Sequence, residues 1–235
     1  MRIDLGSCKY YFLTCDNDIR REHFLKEFAE LDVTEVNPVV GIGRNPSGIT
    51  GFSRMLDLAV FHMDRQQPFR PFILFEDDVK KYRDFPSYID IPDDADFLYV
   101  GLSYYGMNDF SHCYDVFYKN VDSELVRVFN MLSIHGLMIC SIRGLIAFQK
   151  CLIESCYKEE TCDITVARIL PYINAYALRV PLVYQFGEIG GQEAPTKTEF
   201  QSPDRANIPE HWINTTNISV LTCHTDCNAR YPLDK

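Results

Sequence analysis

The chain has 235 residues, 46% of them hydrophobic and 24% charged, with a formal net charge of -10 at pH 7. That is enough apolar material for one sizeable α/β core, and the acidic balance, with no basic run, argues against a nucleic-acid partner. No apolar run approaches the ~20 residues of a membrane span, and the opening Met1-Arg2-Ile3-Asp4-Leu5 lacks the hydrophobic core of a signal peptide.

The nine cysteines are scattered. Cys8, Cys15 and Cys140 lie in or beside apolar segments, as reduced, buried thiols do. Neither Cys151, Cys156 and Cys162 nor Cys223-His224-Thr225-Asp226-Cys227 has the C-x2-C spacing of a zinc site, so plain thiols are expected. An acidic chain of this kind, without a signal, is expected in the cytoplasm, or in the host cytosol if its source is viral.

In chain order, Tyr10 to Leu13 reads as the first strand and Thr14-Cys15-Asp16-Asn17-Asp18 as the loop and cap after it. A helix follows, with Ile19, Phe24, Leu25, Phe28 and Leu31 on one face. Arg20 and Arg21 fall in its first turn, where the helix dipole disfavours them; they either face a phosphate or are plain surface arginines. Val33 to Val40 reads as a second strand. Gly41 to Gly48 is a glycine-rich loop, neither G-x-G-x-x-G nor Walker A. Ile49, Phe52, Leu56, Ala59, Val60 and Met63 predict the buried stripe of the next helix, with Ser53 and Arg54 off it and Pro68 and Pro71 closing the segment.

In Arg70 to Val79 four apolar residues run into three carboxylates. Phe72 to Phe75 reads as a buried strand with Glu76, Asp77 and Asp78 at its carboxyl end, which is where open α/β sheets bind ligands. Extended-chain alternation sends Glu76 and Asp78 one way and Asp77 the other. Three adjacent anions repel unless they share a cation. A divalent metal carrying a phosphorylated ligand is one reading, and a strand end dressed in solvated acids is the other.

Asp96 to Gly101 is a further strand, Tyr114 to Tyr118 and Leu125 to Val128 a hairpin, and Ile134 to Cys140 another strand. Ser141 caps a helix whose apolar positions are Ile142, Leu145, Ile146, Phe148, Leu152 and Ile153. Asp163 opens a short helix with Ile164, Ala167, Ile169 and Leu170 inward. Tyr176 to Val180 is a strand, and Pro181 to Gln185 continues extended. Past about Gly187 the chain turns polar and weakly patterned, apart from the strand-like Ile218 to Leu221. This divides it into 1–187 and a lid, wrap or linker over 188–235. The order of elements makes an α/β fold with a mixed central sheet flanked by helices.

Several segments, taken in order, carry a resemblance. They are Tyr11 to His23, Gly51-Phe52-Ser53-Arg54, Ile73 to Val79 with its Glu-Asp-Asp, Asp96 to Gly101, His135 to Ser141, Thr161-Cys162-Asp163 and Pro181-Leu182-Val183-Tyr184-Gln185. Together they resemble glycosyltransferase family 25, which includes lipooligosaccharide and procollagen galactosyltransferases. Arg54 stands where that family has histidine, and Leu137 or Met138 where it has tyrosine.

The resemblance implies a GT-A (Rossmann-like) nucleotide-sugar transferase fold as the catalytic domain over 1–187, with Glu-Asp-Asp as its metal motif. It implies a nucleoside diphosphate sugar donor, of the UDP-sugar class, and an oligosaccharide or glycoprotein acceptor, with inverting transfer. Mn2+ or Mg2+ suits such hard oxygen ligands. On this reading Asp78 binds the metal and Glu76 is either a second ligand or a partner of the ribose or a metal-bound water. Asp77 touches the donor sugar or caps the next segment. Thr14 and Asp16 hold the nucleobase and ribose, and Arg20 and Arg54 the diphosphate, because guanidinium forks match phosphate oxygens.

Asp163 takes the acceptor's proton, unless it is only a helix N-cap; Glu188 and Glu193 are alternates. His211 or His224 is a candidate third ligand, and Tyr104 and Tyr105 candidate sugar-stacking rings. Two rivals remain: a sugar- or nucleotide-binding domain without catalysis, and a receiver-like phosphoacceptor domain. A Walker-type ATPase is excluded because no phosphate-binding lysine loop precedes the acids.

Overall fold

The computed structural model describes residues 1–14, 17–39, 44–63, 68–103, 106–107, 112–113, 115–186 and 219–222. The first half of the chain forms β1 (Arg2–Asp4), β2 (Lys9–Leu13), α1 (Asp18–Glu27), β3 (Val33–Val36), α2 (Arg44–Phe61), β4 (Phe72–Glu76), β5 (Val79–Lys81), β6 (Tyr88–Asp90) and β7 (Phe97–Tyr99). The second half forms β8 (Gly106–Met107), β9 (His112–Cys113), β10 (Asp115–Asn120), β11 (Leu125–Asn130), β12 (Gly136–Ile139), α3 (Ile142–Lys158), α4 (Cys162–Ile169), β13 (Ala175–Leu178), β14 (Val183–Gln185) and β15 (Ser219–Thr222).

Nine strands make one mixed sheet in the order β15-β10-β11-β13-β7-β12-β4-β2-β3. β2 runs parallel to β3 and β4, and β13 parallel to β7, while β12 is antiparallel to both β4 and β7. The mixed α/β architecture with flanking helices is therefore as the sequence reads. β15, from the polar C-terminal stretch, is the edge strand beside β10. The β1–β6 pair has no counterpart in the sequence reading, since three-residue strands carry too little pattern to show. No helix among the described residues is long and apolar enough to cross a membrane.

Alternation along the central strands feeds two cores. Tyr11 and Leu13 of β2, Phe72 and Leu74 of β4, and Tyr99 of β7 join Phe52, Met55 and Leu56 of α2 and Phe148 and Leu152 of α3. Tyr10 and Phe12 of β2, with Ile73 and Phe75 of β4, meet Phe24 and Phe28 of α1 on the other side. Stacked rings fix that second layer, with Phe12 and Phe24 centroids 4.2 Å apart.

The chain leaves β2 through α1 to β3 on one side, then crosses by α2 to β4 on the other side of β2, and goes on from β4 across the sheet. Adjacent connections thus diverge at the carboxyl ends of β2 and β4. This is the switch-point crevice where doubly wound sheets take their ligands.

Several boundaries and faces differ from the sequence expectation. α2 begins at Arg44, so the expected loop gives way to helix from there, while 41–43 lie outside the described residues. β3 stops at Val36. Ile19, Val60, Ile142, Ile146 and Ile153 are exposed, and Met55 takes a core place instead. Each helix lies on only one face of the sheet, and periodicity in an apolar-rich helix does not say which stripe that face selects. Cys8, Cys140, Cys151, Cys156 and Cys162 are free thiols, all buried but Cys156.

Candidate functional site

β2 and β4 end side by side, with Leu13 and Glu76 paired in register. β4 stops at Glu76; Asp77 and Asp78 form the turn into β5. The expected alternation therefore ends one residue early. Asp77 and Asp78, predicted to diverge, both meet Arg20 Nη1, at 3.3 Å and 3.5 Å. The backbone had to leave the strand for this, and no period-2 pattern predicts a turn made of two acids.

α1 explains how the turn is held. Asn17 caps it, its side chain accepting from the Ile19 and Arg20 N–H groups. One stripe of the helix then braces the turn and β5. Arg20 meets the aspartates, the His23 imidazole lies by the Val79 backbone, and Glu27 accepts from the Lys81 N–H. Arg20 is buried and faces the pair of carboxylates. Its unfavourable place beside the helix dipole is offset by those two charges.

The other side of the turn is held by β14, paired antiparallel with β5. Gln185 Nε2 donates to Asp78 Oδ2 at 3.2 Å and to Glu76 Oε2 at 3.4 Å, and the Phe186 N–H donates to the Asp78 carbonyl. Asp78 Oδ1 is buried and has no hydrogen-bond partner among the described residues. Burial pushes the Glu76 carboxyl well up, and the neighbouring charges of Asp78, Asp163 and Asp77 add to it. Burial likewise raises Asp78, against the pull of Arg20. These are acids held together at a cost, as functional carboxylates commonly are.

Asp163 lies in the first turn of α4, half-buried, and close enough for its charge to act on Glu76, Tyr99 and Cys162. The cap of α4 is Thr161, so Asp163 is not the N-cap; its Oδ1 accepts from the Ile164 N–H. Thr14 and Arg54 meet around one residue that the sequence reading passed over, Asn37. The Thr14 hydroxyl donates to Asn37 Oδ1 at 2.7 Å, and Arg54 Nη1 donates to the Asn37 carbonyl at 2.7 Å. Thr14 is buried and Arg54 exposed. Asp16, Tyr104, Tyr105, Glu188, Glu193, His211 and His224 lie outside the described residues.

Two further polar groups of this region were not singled out from sequence. His135 lies directly before β12, opposite Glu76, whose N–H donates to the His135 carbonyl at 3.4 Å. A side chain at position 101 would collide with the imidazole, 2.6 Å from both Cδ2 and Nε2, so Gly101 makes its place. Ser133 Oγ holds Nδ1 at 3.1 Å, and burial pushes the imidazole down to about 4. His135 Nε2 and the Tyr99 hydroxyl are buried without hydrogen-bond partners among the described residues. A lone histidine and a strand tyrosine carry no sequence signal of this; Gln185, at the end of a recognised segment, carried a weak one.

Among the described residues no three His, Cys, Asp or Glu side chains are gathered so as to hold a metal by themselves. Glu76 and Asp78 nevertheless suit a hard divalent ion. They share one amide donor, repel each other, and leave Asp78 Oδ1 unsatisfied. One or two carboxylates, completed by water and substrate phosphates, is the usual protein share of a Mg2+ shell.

Fold and site together define a mixed α/β protein with a strained carboxylate cluster at the switch point of its sheet. No protein-family model matches the chain, and no curated protein does. Among solved structures it is similar to one described as "Crystal Structure of A197 from STIV", with a TM-score of 0.39 and 10% sequence identity, covering 86% of this chain and 100% of that one. So loose a likeness carries no argument about fold family or function.

Proposed function

We propose that the chain is a metal-dependent glycosyltransferase of GT-A type, resembling family 25. On this reading it moves a sugar from a UDP-class nucleoside diphosphate sugar to a hydroxyl of an oligosaccharide or glycoprotein, with inversion, in the cytosol. The observation that carries the reading is the pair Glu76 and Asp78 at the switch-point crevice, with Asp78 Oδ1 buried and unpartnered and Asp163 within electrostatic reach.

In this reading Asp78 and Glu76 hold Mn2+ or Mg2+, which when bound neutralises charge on the departing diphosphate. Arg20, with Asp77 as its second partner, positions Asp78. Thr14 and Asn37, joined by their hydrogen bond, would hold base and ribose, the role the sequence also gives Asp16, and exposed Arg54, which donates to the Asn37 carbonyl, would exchange that contact for the diphosphate. Asp163 accepts the acceptor hydroxyl's proton as that oxygen attacks the anomeric carbon. The bond to the diphosphate breaks, and its electron pair leaves on the phosphate oxygen.

One observation favours a second reading, a nucleotide- or sugar-binding domain without metal: Arg20 already supplies a positive charge to Asp77 and Asp78. Calorimetric titration of nucleoside diphosphates and their sugars, with Mn2+ and with chelator, separates the two. Binding that needs the metal supports the transferase, and equal binding in chelator supports the binding domain. If no nucleotide sugar binds under either condition, both are wrong.

A further inference from the structure

At the amino end of the central sheet, on the α2 side, lies a pocket of about 90 Å³. Tyr11 of β2 reaches into the α2 core, and Lys9, two residues earlier on the same strand, shares that face. Lys9 stands in register beside Phe72 of β4, and Arg70 comes two residues before Phe72. His62, directly after α2, adds a further wall. This is the far end of β2 from the acidic turn, with Lys9 about 13 Å along the strand from Leu13.

The side chains around the pocket offer donors and positive charge. None of them is a carboxylate, although the chain has 33 Asp and Glu. Arg70 is exposed and has no hydrogen-bond or ion-pair partner among the described residues. Lys9 Nζ meets Asp32 Oδ2 at 2.5 Å, but those side chains are 52% and 78% exposed, and so exposed a pair is weak enough for Lys9 to turn to a ligand. The Tyr11 hydroxyl and His62 Nδ1 lie 3.0 Å apart with their rings stacked. Burial pushes the Tyr11 hydroxyl up to about 12, so it keeps its proton. With Tyr11 as donor, the imidazole carries its own proton on Nε2, which leaves an N–H for a ligand.

Two effects oppose an anion here, and both are smaller than what favours it. The carboxyl end of α2 brings about half a negative charge, and Asp32 brings one. Lys9 and Arg70 bring two positive charges, so the balance stays positive before His62 is counted. Size narrows the class further. A cavity of about 150 Å³ accepts one benzene ring, so this smaller one takes a group of phosphate size and no nucleobase.

We propose that this pocket binds a doubly charged oxyanion of phosphate size, either free or as the phosphate head of a larger ligand whose body stays in solvent. Arg70 forks onto two of its oxygens, Lys9 supplies the second charge, and His62 Nε2 donates to a third oxygen. The site is independent of the metal and the reaction proposed for the acidic turn.

Titration of the full chain with inorganic phosphate, in chelator, at low salt and slightly above neutral pH, tests the proposal by NMR. The His62 ring signals, assigned by their loss in His62→Gln, should shift saturably. A local signal is read rather than Tm, because phosphate favours the compact state of proteins in general. Arg70→Gln changes an exposed side chain, so the fold should stay intact while phosphate binding weakens on the order of tenfold to a hundredfold. Arg2→Gln, also exposed but paired with Asp90, should leave binding unchanged. Asp78→Asn should do the same, which separates this pocket from the crevice. Acetate, with a single charge, should bind about tenfold more weakly or worse. A hexose phosphate that outbinds inorganic phosphate marks a phosphorylated ligand, and one that does not marks free phosphate; both outcomes keep the site. No saturable shift, full affinity in Arg70→Gln, or acetate binding as tightly as phosphate each overturns the proposal.

Discussion

Replacing Asp78 by asparagine keeps the size of a side chain whose residue is 5% exposed, and turns one carboxylate oxygen into an amide nitrogen. Gln185 and Arg20 both approach the same oxygen, Oδ2, while Oδ1 has no partner. The asparagine carbonyl takes over the Oδ2 contacts and its amide group falls at the unpartnered position. The fold therefore loses part of one ion pair, sheds repulsion from Glu76 and Asp77, and changes in stability by no more than about 1 kcal/mol.

Ligand response should change far more. At a hundredfold excess over Kd, a bound nucleotide adds about 2.7 kcal/mol of stability, or roughly 5–10 °C in Tm for a chain of this size. Scanning fluorimetry with UDP and Mn2+ should show that shift in the wild type and none beyond chelator in Asp78→Asn. The sign with pH follows from the raised carboxyls. Glu76 and Asp78 hold protons longer folded than unfolded. Their contribution to the metal-free fold is thus fully present below the ordinary carboxylate range and is lost as pH rises through the raised values. Mn2+ displaces those protons, so its affinity should rise with pH over the same window. An Asp78→Asn chain that keeps the full metal-dependent shift would refute the site.

Other expectations follow from single contacts. Asp163→Asn should retain nucleotide binding and lower turnover of the donor by about 10²–10⁴-fold, read as release of nucleoside diphosphate. Burial alone would raise the Asp96 carboxyl, but hydrogen bonds from Arg143, Ser141 and the Asn174 N–H outweigh it and hold it below its usual range. Asp96→Asn should therefore cost about 1.5–3 kcal/mol near neutral pH in denaturant unfolding. The difference from wild type should shrink as pH falls through the depressed value of Asp96, where the native carboxylate is lost too. Gly144→Ala brings a Cβ to 2.4 Å from the Asp96 carbonyl oxygen, in backbone that cannot step aside cheaply. Overpacking of about 1–3 kcal/mol outweighs the gain in helix propensity, and Tm should fall by several degrees.

Much of this molecule is legible in its sequence, unevenly. Strands β2, β4, β7 and β12 and helices α1, α2 and α3 come from dense apolar runs and periodic stripes, which need only local chemistry to declare themselves. The placing of Glu76 to Asp78 at a strand's carboxyl end was equally open to view. The direction of each acid was not, because it depends on where the strand stops, and Gln185 of β14 and Arg20 of α1 decide that from far along the chain. Ile142, Ile146 and Ile153 make the same point. Their residue type says apolar, and only the face that α3 turns to the sheet says exposed.

The sequence by itself therefore determined the class of fold, the acidic strand end and the residue types able to work there, since hydrophobic period and strand-end chemistry are local. Only the tertiary structure decided the strand order that creates the switch point between β2 and β4, and which acids share a partner. It also brought Asn37 to Thr14, His135 to Glu76 and Tyr99 within reach of the Asp163 charge. Those relations join residues distant in sequence through burial and charge, which no window along the chain contains.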